Sequence, residues 1–422
     1  MRHLLRVWLL CGFVAGIIMP VGLRASEFET PGSKLRWPKG PISIHLSSSL
    51  SQPNSGIPFT NDVLGALQRS LARWEDVTDV EFRLLRSDDL AVSPKGTVGD
   101  GISLITIAPV AENVLLFTNG RSKASALTRV FYDRQSRITE GDIVLNPALQ
   151  FSTDGTFGTY DLEAVFTHEI GHLLGLGHSN IGSSIMFDGV PLNSFVEPVH
   201  QTSLLSSHDI ASIRALYGAG ISEPDCCGLL QSRLLFPGQK LTRNALVWIQ
   251  DRRTGAVVHA AEVPKTGIYE LNGLTFGTYE AFAQADEPGS SFGARSLGRV
   301  TIDLDGSKLT ERPSEPFPAT FRIEAVGLEN QLSRRAVRLE RGRNYRLLVG
   351  GRGLDAKGLI YGTTSSLIAV NSSSLAVQEF EGGISVISLD LAVDNAIIAA
   401  EYSLFVESGG VRRYLVGAIS VN

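Results

Sequence analysis

Residues 168 to 178 read His-Glu-Ile-Gly-His-Leu-Leu-Gly-Leu-Gly-His. His168 and His172 stand four apart, so on a helix both imidazoles project from one face, one turn above the other. Such a pair can share one ion. A zinc ion that does chemistry takes three protein ligands and keeps a fourth position for water. His178 supplies the third ligand if the chain turns back after His172, and Gly175 gives the means, because a left-handed glycine ends a helix and redirects the chain. Glu169, beside the first ligand, is the one carboxylate placed to take a proton from a zinc-bound water. Zinc lowers the pKa of that water from about 15.7 towards roughly 7 and polarises a carbonyl, while the carboxylate passes the proton to a leaving amine. The pattern predicts one catalytic Zn²⁺ and peptide-bond hydrolysis without a covalent intermediate. A bare His-Glu-x-x-His arises by chance about a thousand times more often than this longer spacing. A metal-free helix would leave three titratable rings on an apolar stretch without partners, and a purely structural zinc would leave Glu169 without a role.

The elements that must hold these residues are legible on both sides. Apolar and polar residues alternate from Ile42 to Leu46, as on a half-buried strand. A helix follows with Thr60 as its expected N-cap and a stripe of Val63, Leu64, Leu67, Leu71 and Trp74 to lay on a sheet. Further strands are expected at Val80 to Leu85, Ile102 to Pro109, Leu127 to Asp133 and Asp142 to Asn146. The metal-bearing helix starts near Asp161, and a third runs from Ser207, with Asp209 in its first turn, to Tyr217 and a terminating Gly218. Residues 35–220 therefore read as an α+β unit, a twisted sheet with three helices. Beyond Ser222 short alternating runs such as Ala245 to Gln250, Gly267 to Leu271 and Thr278 to Ala283 are separated by turn residues. A Pro-rich break at Pro313 to Pro318 precedes more of the same, including Tyr345 to Val349, Ile384 to Leu391 and Tyr402 to Val406. These runs predict two all-β sandwich domains, 227–311 and 318–422.

The 422 residues allow several domains, and a net charge of -5 without long charge runs gives no footprint for nucleic acid. Residues 1–26 have the parts of a cleavable signal peptide: Arg2 and Arg6, an apolar stretch from Val7 to Met19, then the small residues Ala25 and Ser26. Export to the periplasm or the extracellular space is expected, with no membrane span once the signal is removed. Removal takes Cys11 with it and leaves Cys226 and Cys227, whose adjacency leaves open free thiols, a strained ring or an intermolecular link.

The spaced motif, followed by Met186 in Ser184-Ile185-Met186-Phe187, is the metzincin signature with its methionine turn. Within the metzincins the stretch from Leu35 to Gly218 resembles the matrixins, through Ser179 after the third histidine and the closing helix Leu205 to Gly218. The resemblance implies a zincin fold, with Met186 as the floor beneath the zinc and Gly175 supporting the turn to His178. It implies that Asp188 to Val196 lines the pocket for the residue after the cut bond, and that Leu127 to Asp133 is the edge on which an extended peptide lies. The region Asp251 to Ala283 is similar to carboxypeptidase-regulatory-like or prealbumin-like modules, and the last block resembles bacterial immunoglobulin-like modules.

Two departures from the matrixin pattern matter. No histidine lies between His45 and His168, so the second, structural zinc of matrixins is not expected, and no cysteine lies between the signal and the domain to act as a latch. Calcium ligands are possible but unsupported at Asp142, Asp154 and Asp161, which read more simply as caps and turns. His200, His208 and His259 have no motif around them and read as surface or capping residues. The expectation is a secreted zinc-dependent metalloendopeptidase acting on proteins or peptides, with β modules that bind a surface or matrix partner or act as spacers. The rival is an adhesion or matrix-binding protein with an inactive metzincin domain, against which the intact Glu169 and three ligands weigh.

Overall fold

The structure is a computed structural model that describes residues 34–53, 55–94, 99–118, 120–121, 123–193, 204–220, 225–234, 245–287, 290–311, 318–329, 331–380 and 384–422. The expected signal peptide, His200, residues 194–196 of the expected pocket loop and most of the Pro-rich break lie outside the described residues.

The N-terminal unit is built on a five-stranded sheet of β1 (Ile42–Ser47), β2 (Phe82–Ser87), β3 (Leu104–Thr106), β4 (Ala126–Tyr132) and β5 (Ile138–Leu145), in the order β2-β1-β3-β5-β4. The first four strands in that order run parallel, whereas β4 is antiparallel to β5 and forms the edge. Four helices accompany the sheet: α1 (Val63–Glu75), the short α2 (Ala111–Val114), α3 (Leu162–Leu173) and α4 (Ser207–Tyr217). Three of these are the expected ones.

The expected N-cap Thr60 gives way to Asp62, whose carboxylate accepts from the Gly65 N–H at 2.9 Å. The stripe of α1 buries Leu67, Leu71 and Trp74, while Leu64 is turned outward. Trp74 then donates its indole N–H to the Thr167 carbonyl at 3.1 Å, locking α1 against α3. On the other side of α3, Gly141 of β5 lies so close to Leu173 that an added Cβ would come within 3.0 Å of it. Helix α3 is thereby held between α1 and the sheet, with all but one of its residues buried. Asp161 caps it by accepting from the Glu163 and Ala164 N–H groups, Asp154 accepts from Thr156, and Asp142 accepts from the Ser93 and Leu104 N–H groups at 3.0 Å. The three aspartates thus serve as cap and turn residues.

The remaining chain is all β, with one feature the strand pattern did not reveal. Strands on both sides of the Pro-rich break share an eleven-stranded sheet, because Ala256 and Val257 pair with Tyr402 and Glu401. A four-stranded sheet of Arg322–Leu328, Asn344–Arg352, Ile384–Val393 and Ile368–Phe380 accompanies the C-terminal part. Period-two alternation fixes which face of a strand is buried and carries no information about a partner so distant in sequence. Cys226 and Cys227 are joined by a disulfide, one of the states their adjacency left open.

Candidate metal centre

Helix α3 brings His168 and His172 to one face, and both rings are buried. It ends as the glycine predicts. Gly175 has φ +98, its N–H donates to the His172 carbonyl at 2.9 Å, and an added Cβ would lie 2.4 Å from the Leu35 carbonyl oxygen. No side chain fits there in that conformation. The chain is thereby redirected so that the Nε2 of His178 comes 3.2 Å from that of His172, which is 3.1 Å from that of His168. The three ligand nitrogens lie within 4.8 Å of one another, the one such group of three metal-ligating residues among the described residues.

The ring orientations test whether a cation belongs there. The His168 Nδ1–H donates to the Ile185 carbonyl at 2.7 Å and the His172 Nδ1–H to the Leu176 carbonyl at 2.8 Å. With the proton on Nδ1, each Nε2 presents a lone pair. Lone pairs facing one another at about 3 Å repel unless a cation sits among them, so the donor set fits one zinc-type ion. Burial holds His168 well below the usual imidazole pKa and His172 down at about 3, each pushed further by neighbouring imidazoles and His168 also by Arg335. The rings therefore stay neutral and able to ligate.

Glu169 is buried, and burial pushes its carboxyl up to about 7, against the pull of a hydrogen bond donated by Thr128 Oγ1 to its Oε2 at 2.6 Å. The same hydroxyl lies 3.1 Å from the Glu169 carbonyl. Thr128 belongs to β4, so the edge strand orients the carboxylate. A cation among the three imidazoles would act in the opposite sense to burial and hold the carboxylate ionised.

Met186 is buried under α3, where an added Cβ on Gly171 would meet its sulfur at 2.3 Å. The methionine turn is closed by the Ser179 N–H donating to the Met186 carbonyl at 2.8 Å and the Phe187 N–H to Ser184 at 3.1 Å. Asp209 holds this turn from α4: its carboxylate accepts from the Ser184 hydroxyl, from the Ile185 N–H at 2.9 Å and from the Ser206 N–H at 2.8 Å. A chain of bonds therefore runs from Asp209 through the Ile185 peptide to the His168 ring. The sequence marked Asp209 only as a first-turn acid, and nothing local singles out Thr128. Asp188 Oδ1 lies 3.9 Å from His178 Nδ1, and the segment beyond it is tied down by the Asn193 N–H donating to Thr159 at 2.8 Å.

The surface reading of His208 and His259 is overturned. Their Nδ1 atoms lie 2.9 Å apart, and burial lowers both pKa values, because α4 packs on strand Ala256–Val263.

Comparison with known proteins agrees with this geometry. The matrixin family model matches residues 105–218. The chain is 30% identical over 192 residues to metalloendoproteinase 5-MMP of Arabidopsis thaliana, covering 44% of this chain and 47% of that protein. It is 30% identical over 163 residues to the macrophage metalloelastase of Rattus norvegicus, covering 39% and 30%. It is 38% identical over 189 residues to matrix metalloproteinase-19 of Homo sapiens, covering 43% and 30%. The chain thus spans less than half the length of each of these relatives. Three imidazoles on a helix and its glycine turn, a methionine turn beneath them and the family match make the N-terminal unit a matrixin-like metzincin catalytic domain.

Proposed function

We propose that the protein is a zinc-dependent metalloendopeptidase with His168, His172 and His178 as ligands and Glu169 as general base. The observation that carries this is the convergence of three Nε2 lone pairs beside a buried carboxylate held by Thr128. When bound, zinc would supply Lewis-acid polarisation of a carbonyl and a water acidic enough to lose its proton near neutral pH. The chain's own residues do the rest. The Ile185 and Leu176 carbonyls fix the tautomer and tilt of two ligand rings. Glu169 accepts the proton of the attacking water and delivers it to the leaving amine. Burial raises its basicity towards the working pH, and the Thr128 hydroxyl fixes the face it presents.

Strand β4 is an unpaired sheet edge beside α3, the kind of edge on which an extended peptide adds as a further strand. Substrates are therefore proteins or peptides in extended conformation. Asp188 and the residues after it line the pocket for the side chain following the cut bond. The signal-like N-terminus supports action outside the cytoplasm, and among the described residues no helix is long and apolar enough to cross a membrane. Zinc analysis together with casein cleavage by the wild type and Glu169→Ala tests the reading. Cleavage by the wild type alone, with zinc retained in both, is expected. Equal cleavage by both would remove Glu169 from the mechanism, and a zinc-loaded wild type inert to casein would favour the binding-protein alternative.

A further inference from the structure

The loop between the third histidine and the methionine is gripped by the β region. Ile181 is buried in a cluster with Trp248, Val257, Ala260, Tyr414 and Val416. Gly182 accepts a backbone hydrogen bond from the Ala336 N–H at 3.0 Å, and an added Cβ on it would lie 2.4 Å from the Arg334 carbonyl oxygen. Between these residues, Arg335 reaches past the methionine turn. Its guanidinium donates to the Phe187 carbonyl at 3.2 Å and to the Gly189 carbonyl, and it sits 5.2 Å from the centroid of the Phe187 ring. The two carbonyls flank Asp188, whose carboxylate faces His178 Nδ1 at 3.9 Å.

We propose that Arg335, contributed by the C-terminal β region, is a positioning residue of the metal centre: by fastening both sides of Asp188 it sets the third ligand and the adjoining pocket wall. The proposal rests on the peptidase reading for its substrate half, while its metal half stands on the geometry alone. A planar fork suits this task, since one guanidinium can donate to two carbonyls and lie over a ring at once, which an ammonium cannot. The β region is in that case part of the catalytic apparatus. A spacer would meet the catalytic unit anywhere, but here the contact falls on the segment that follows the methionine turn.

The test uses the full chain as wild type, Arg335→Ala and Arg335→Lys, each loaded with zinc. The rate of zinc transfer to a chromogenic chelator is measured beside KM and kcat on a fluorogenic peptide. Arg335→Ala is expected to release zinc about tenfold faster and to raise KM about tenfold with kcat changed less than about threefold. Arg335→Lys is expected to recover less than half of either loss. Zinc release and KM within about twofold of wild type in Arg335→Ala would overturn the proposal, even if thermal stability fell, because a mere strut between domains would behave so. Full recovery by Arg335→Lys would also overturn it, since charge and not the fork would then be the active feature. Should Arg335→Ala not accumulate as folded protein, Arg335→Lys carries the same readouts. A wild type that holds zinc but cleaves no peptide defeats the peptidase reading and leaves the zinc-release test standing.

Discussion

Glu169 works against its own surroundings. Burial favours its neutral form, the Thr128 hydrogen bond favours the ionised form, and the balance puts the carboxyl at about 7. Activity needs the ionised base, so kcat/KM falls as pH drops through that pKa. Thr128→Val removes the bond that favours the anion and raises the pKa, so the acidic limb of the pH profile should move to higher pH by about one unit, the equivalent of a charge-assisted hydrogen bond of about 1.4 kcal/mol. A pH–rate profile on a soluble peptide checks this, and an unmoved limb would remove Thr128 from the site. Glu169→Gln keeps the shape and deletes the base. Its kcat should fall by at least about a thousandfold while bound zinc, measured by metal analysis, stays at the wild-type level.

At the scale of elements, the site depends on how α3 ends and on what braces the turn beneath it. Gly175→Ala places a Cβ at φ +98 and against the Leu35 carbonyl. It should cost about 2–4 kcal/mol in denaturant unfolding and weaken zinc binding, because the path to His178 shifts. Asp209→Ala strips partners from the buried Ile185 and Ser206 N–H groups. It should destabilise by about 3 kcal/mol and speed zinc loss through the Ile185–His168 link, which chelator competition would show. The ligand spacing, the glycine turn and the caps at Asp161 and Gly218 were legible because they are local: periodicity and φ preference act within a few residues. The N-cap moved from Thr60 to Asp62 because two oxygen-bearing residues compete within one turn and only geometry decides between them. Thr128 and Asp209 went unread as parts of the site because each acts through a partner from another element.

Across the whole molecule the β region is continuous with itself and clasped to the catalytic unit. The sheet that joins Ala256–Val263 to Ala400–Ser408 predicts that residues 228–422 unfold in one cooperative transition, which calorimetry of the full chain would resolve. Cutting the chain after residue 220 exposes Ile181 and removes Arg335, so the isolated catalytic unit should lose at least about tenfold in kcat/KM relative to the full chain. Equal activity of the two would return the β region to the role of a spacer. Nothing in the strand pattern announced these contacts. Arg335 lies in an ordinary polar turn, and its partners are carbonyl groups, which carry no sequence signal.

The most direct test of the metal centre is a zinc titration of chelator-treated protein, followed by cleavage of a fluorogenic peptide. Three neutral imidazoles around one position and a single general base predict activity that rises linearly and levels off at one zinc per chain, with Glu169→Gln inert throughout. Activity that needs a second equivalent, or that survives without zinc, would contradict the account.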